Sequence, residues 1–107
     1  MPVPTDIEAI CKRAREFIRK RKFAEAIHVY EEALKIDDRD IRAHEGIATA
    51  AFLANDFDRA EQHFKRLSMI DVRRSDALVN LGAVYNRKGD YNAAVKTLRQ
   101  ALLKNRK

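Results

Sequence analysis

The chain has 107 residues, a length that suits one domain with a modest core. It is 46% hydrophobic and 36% charged, with three Gly and two Pro, the composition of a charge-rich helical protein. The formal charge is +6, a single cysteine excludes an intramolecular disulfide, and no apolar run approaches the ~20 residues that span a bilayer.

The excess charge is uneven. Residues 75–107 hold seven basic against two acidic groups, whereas residues 1–40 hold nine of each. Such a balance allows acidic partners or nucleic acid. Residues 1–15 lack the apolar core of a secretory signal, and the lone Cys11 suits a reducing compartment, so a cytoplasmic setting is expected.

Pro2 and Pro4 favour an extended start. Thr5 stands where an N-cap belongs, with Glu8 three residues on as the other half of a capping box. Helix α1 is expected over 6–20, with Ile7, Ile10, Ala14 and Phe17 as its apolar stripe. Arg19-Lys20-Arg21-Lys22 ends it. Cations suit a helix C-terminus, and no aromatics interleave there for base stacking.

Helix α2 is expected over 23–36, carrying Phe23, Ala26, Ile27, Tyr30, Ala33 and Leu34. Tyr30 reads as core. Asp37 to Asp40 lead into α3, expected over 41–54, with Asp40 as its cap. His44 reads as a packed histidine, since His28 and His63 show no ligand spacing to it. Asn55-Asp56 then makes a turn: Asn tolerates the left-handed position and Asp caps the next helix.

Helix α4 is expected over 57–70, α5 over 75–88 with Ser75 as cap, and α6 over 91–105. Gly89-Asp90 repeats the Asn55-Asp56 device. Arg21-Lys22 does not, so the first turn is expected to be the least well formed.

Ala26, Ala60 and Ala94 stand 34 residues apart, as do Phe23, Phe57 and Tyr91, and Tyr30, Phe64 and Leu98. A fixed period of this size signals stacked supersecondary units. With Leu78, Leu81-Gly82, Tyr85, Ala94, Leu98 and Ala101 in the third unit, the chain resembles the tetratricopeptide repeat across residues 7–107. The resemblance implies an all-α fold, an α-α superhelix (solenoid) of three helix-turn-helix repeats, 7–40, 41–74 and 75–107, in a single domain. Arg13 fills the slot of Ile47 and Leu81, as suits an edge with no preceding repeat. The family's proline between repeats is missing: Asp38, Val72 and Arg106 fill its slot. That leaves open an unbroken helix across 36–41 or 70–76 and, with it, domain swapping.

The resemblance further implies a concave groove lined by α1, α3 and α5, which would bind a protein or peptide partner. Its residues would be Lys12, Arg15, Arg19, Thr49, Phe52, Leu53, Val79, Asn80 and Arg87, basic at the ends and apolar in the middle. The complementary ligand has acidic ends and an apolar centre. The family's carboxylate clamp for chaperone tails is not expected, because Cys11, Arg15, Gly46, Asp76 and Asn80 fill its slots.

No phosphate-cradling loop, Cys/His cluster or His-Glu-x-x-His stands in the chain, and Cys11 has no activating partner in sequence. No catalysis, metal, cofactor or membrane partner is therefore expected. Nothing follows to cover Val95 and Leu102 of α6, so self-association is expected there. Two alternatives remain at this stage: part of a longer repeat array, and, less favoured, a nucleic-acid adaptor using the basic patches.

Overall fold

The computed structural model describes residues 6–105. Six helices follow one another: α1 Ile7–Arg19, α2 Phe23–Ile36, α3 Ile41–Leu53, α4 Phe57–Ile70, α5 Ser75–Lys88 and α6 Tyr91–Asn105. No strand occurs among the described residues. Each helix packs on the next, and α1 also touches α3. The result is an all-α repeat solenoid, elongated at 49 × 29 × 19 Å.

Small residues set the helix spacing. Ala14, Ala26, Ala48 and Ala60 are fully buried at repeat-equivalent places, which lets neighbouring backbones approach closely. Ile47, Leu67 and Val84 fill the space between, and each such burial contributes about 1.5–3 kcal/mol. Arg13, in the slot of the buried Ile47, stays exposed and pairs with Glu32 at 3.6 Å.

The caps follow the sequence in three places and depart from it in two. Asp40, Asp56 and Asp90 accept from the backbone N–H of Ala43, Arg59 and Ala93 at 2.9, 3.3 and 3.1 Å. Thr5 lies outside the described residues together with Pro2, Pro4 and Arg106. The residue that caps α1 is Asp6, accepting from the Glu8 N–H at 2.9 Å. Ser75 does not cap α5 but is its first residue, and its hydroxyl donates to Asn105 of α6 at 2.7 Å. Arg74 precedes it in extended backbone without a capping side chain, its guanidinium held 2.6 Å from both Glu45 and Asp76.

The first turn is better formed than expected. Arg21, Asn55 and Gly89 all adopt the left-handed conformation, with φ of 61, 64 and 83°. Each turn closes with the same backbone bond, from Lys22 to Phe17, Asp56 to Ala51 and Asp90 to Tyr85, at 2.8, 2.8 and 2.9 Å. The first turn lacks only the side-chain cap, since Lys22 has no acceptor to offer.

The turns between repeats are also sharp, which excludes an unbroken helix across 36–41 or 70–76. Asp37 accepts from the Arg39 N–H at 3.0 Å, and Asp71 from the Arg73 N–H at 3.2 Å. These Asx turns, closed by backbone bonds from Asp40 to Asp37 and Arg74 to Asp71, do the work of the missing proline.

Candidate functional site

The inner side of α1, α3 and α5 forms a trough with two unlike halves. The first is a concavity of about 460 Å³ bordered by Arg15, Ile18, Arg19, Arg42, Glu45 and Thr49, with Asn80 at its far side. Its floor is Tyr30 of α2, whose ring lies against the bare backbone of Gly46. Any Cβ at position 46 would fall inside that ring. Glycine there admits the aromatic, and burial raises the Tyr30 phenol above its ordinary pKa.

The second half is a smaller hollow of about 130 Å³ lined by Phe52, Leu53, Phe64 and Ala83. Thr49 and Asn80 border both halves and join them. Phe52 meets Phe57 edge-on, and the Arg87 guanidinium lies over both rings, 5.6 and 5.0 Å from their centroids. Arg87 therefore closes the apolar half as a stacked cation.

The charges in the first half differ in what holds them. Arg19 is tied to Glu16, whose carboxyl is lowered chiefly by that hydrogen bond. Arg42 lies 3.5 Å from Asp40. Glu45 is drawn away to Arg74, which also takes Asp76 and holds its carboxyl below the usual range. Arg15, Thr49 and Asn80 have no side-chain hydrogen bond or ion pair among the described residues. They are polar groups brought to one concavity without a side-chain partner among the described residues.

Of the residues expected from sequence, Arg15, Arg19, Thr49, Phe52, Leu53 and Asn80 line this trough, and Arg87 covers its apolar end. Lys12 and Val79 line neither hollow. Lys12 is the repeat equivalent of Gly46 and Asn80, and it stands exposed on α1. Tyr30, expected only as core, also floors the first half. Arg42, at the same repeat position as Glu8 and Asp76, joins the border.

Cys11 is buried, and burial raises its thiol above the ordinary value, which disfavours the thiolate. Arg21, from the basic run, lies over the Phe23 ring at 5.3 Å. Among the described residues no three His, Cys, Asp or Glu side chains converge as a metal site requires. No described helix is long and apolar enough to cross a membrane.

One pairing escapes sequence reading altogether. His44 of α3 and His63 of α4 place their Nδ1 atoms 3.0 Å apart. The His44 Nε2 is 2.8 Å from the Asp38 carbonyl, which can only accept. A neutral His44 therefore donates from Nε2 and accepts at Nδ1 from the His63 N–H. Burial, then His44 and Arg59, hold the His63 pKa down to about 4.

A family model described as tetratricopeptide repeat matches residues 11–68, and another of the same description matches residues 75–103. Among similar solved structures is the second TPR of Spaghetti (RPAP3) bound to the HSP90 peptide SRMEEVD, with a TM-score of 0.83 at 20% identity over 92% of each chain. MamA gives 0.86 at 19% identity, over 95% of this chain and 60% of that one. The Yersinia enterocolitica type III secretion chaperone SycD, in complex with a peptide of the translocator YopD, gives 0.86 at 17% identity over 92% and 75%. No curated protein matches the chain.

Proposed function

The chain belongs to the tetratricopeptide repeat family, and from that premise we propose that it is a non-catalytic interaction module that holds a peptide segment in the trough of α1, α3 and α5. The favoured segment has acidic ends and an apolar centre. The observation that carries this reading is the unpartnered set Arg15, Thr49 and Asn80 on one concavity, beside the apolar hollow of Phe52, Leu53 and Ala83. Arg15, Arg19 and Arg42 attract one acidic end, and Arg87 meets the other. The Asn80 amide is free to pair with a peptide backbone, as unsatisfied donors and acceptors at a binding surface do. Charge sets the encounter rate while apolar contact holds the complex. The HSP90 and YopD peptides held by two of the similar structures support a peptide as the occupant.

The test is fluorescence anisotropy with a synthetic peptide carrying Asp-Glu at each end and Leu-Phe-Leu between. Replacing both Arg15 and Arg19 by Glu is expected to weaken capture by about tenfold or more, mainly through the association rate, and the loss shrinks at high salt. Lys12→Glu with Lys20→Glu makes the same change of net charge outside the trough and is expected to have a much smaller effect. Unchanged affinity in the Arg15/Arg19 double variant at low salt contradicts the proposal, as does an equal loss in both double variants.

A further inference from the structure

We infer that the groove between α2 and α4 binds a small aromatic molecule that carries a hydrogen-bond donor, a phenol or an indole, through the Nε2 atom of His63. The groove shares no lining residue with the trough. It holds about 370 Å³, within the range of small-molecule sites, with Leu34 of α2 and Met69 of α4 as apolar walls. His44 of α3 and His63 of α4 supply its imidazoles.

The repeat itself shows that packing does not require these histidines. The equivalent places hold Ile10 and Val29 in the first repeat and Leu78 and Thr97 in the third, all buried. The next groove along the stack, between α4 and α6, is built from equivalent residues. There Ser68 replaces Leu34, Leu78 replaces His44, Gln100 replaces Arg66 and Leu103 replaces Met69. Its volume, about 440 Å³, is similar. One groove therefore occurs twice, once with imidazoles and once without.

A chain of hydrogen bonds fixes what His63 offers. The Asp38 carbonyl accepts from the His44 Nε2–H at 2.8 Å, so the His44 Nδ1 accepts from the His63 Nδ1–H at 3.0 Å. The proton of neutral His63 is thus committed to Nδ1, and its Nε2 carries a lone pair. Burial keeps the ring neutral at ordinary pH. Nε2 has no partner among the described residues, yet no buried side-chain nitrogen or oxygen among them lacks one. The atom is therefore open to the groove that its ring lines.

The complement of that lone pair is a donor. Asp38 also borders the groove, and its carboxylate disfavours an anionic ligand. Lys65 is already held by Glu61 at 2.9 Å. Arg66 lines the groove without an ion pair among the described residues and offers a cation to the face of a ring. An aromatic body with one O–H or N–H suits the apolar walls, the lone pair and the cation together.

The experiment titrates the full, isotope-labelled chain with p-cresol and with p-methylanisole, which keeps the ring and lacks the donor. p-Cresol is expected to shift His63, Leu34 and Met69 and to leave Ser68 and Leu103 of the second groove unmoved. It is expected to bind at least about fivefold tighter than p-methylanisole, the worth of one sheltered hydrogen bond. His44→Leu with His63→Thr copies the pair that stands in the third repeat, and is expected to remove this preference. Circular dichroism verifies that the variant is folded, and the comparison of the two compounds on the unaltered chain stands without it. Equal binding of the two compounds, or shifts as large in the second groove, overturns the inference. So does a preference that survives the double variant, or no shift at millimolar p-cresol.

Discussion

The two ends of the stack obey opposite rules. On α1 and its C-cap the outward positions hold Lys12, Arg13, Glu16 and Lys20, all exposed, and Arg13 finds Glu32 of its own repeat. On α6 they hold Tyr91, Val95, Leu98 and Leu102, also exposed. The outer face of the first repeat is polar and that of the third is apolar. The lesson is that exposure alone does not define an edge. The chemistry of the exposed side chains separates a polar outer face from an apolar one.

The comparison is broken most directly by matched truncations. Ile27→Ala, in the covered stripe of α2, is expected to cost about 2–5 kcal/mol. Val95→Ala, at the same place in α6, is expected to cost about 0.5 kcal/mol or less, as surface substitutions do. Urea denaturation of both variants measures the difference. A loss at Val95 as large as at Ile27 would mean that the α6 stripe is covered in solution.

A smaller effect probes how a covered stripe is received. Gly46→Ala drives a methyl group into the Tyr30 ring and is expected to cost about 1–3 kcal/mol. Adding Tyr30→Leu should recover part of that loss, since the two residues touch. Additive losses in a thermal double-mutant cycle would show that the Tyr30 ring is not what Gly46 accommodates.

The smallest expected effect is a pH dependence confined to the covered region. The folded-state pKa of His63, about 4, lies below its ordinary value of 6.5. Between those values the unfolded chain binds more protons, so stability is full above 6.5 and falls as pH drops toward 4. Allowing for partial solvent screening, the loss is about 1–2 kcal/mol. Glu61 is lowered to about 2 by its hydrogen bonds to Lys88 and Lys65, so its contribution is present above 4.5 and is lost as pH falls toward 2. His63→Gln should flatten the upper window only. A slope between about pH 6.5 and 4.5 that survives this change assigns the effect elsewhere.

Much of this fold was legible because it repeats. The 34-residue step locates all six helices, and Asp40, Asp56 and Asp90 announce three caps. What escaped depended on neighbours in space. Asp37 and Asp71 replace a proline through side-chain turns, and a pattern that asks only for proline passes over them. Arg74, just before α5, has its guanidinium held by Glu45, 29 residues away. The imidazoles of His44 and His63 meet through the phase of two helices 19 residues apart, at no recognisable spacing.

The site shows the same division. Arg15, Thr49 and Asn80 can be named from repeat position alone. Lys12 and Val79 fall outside the trough because repeat position gives the helix face but not what stands against it.

The central claim is that the trough between α1, α3 and α5 is the peptide-binding surface. Chemical-shift mapping of the isotope-labelled chain, titrated with the acidic-ended peptide, tests it most directly. The account predicts shifts at Arg15, Thr49, Asn80 and Phe52, with α2 and α4 unmoved outside Tyr30, Phe57 and Phe64. Shifts confined to the outer faces of α2 and α4, or to Val95 and Leu102 of α6, would contradict it.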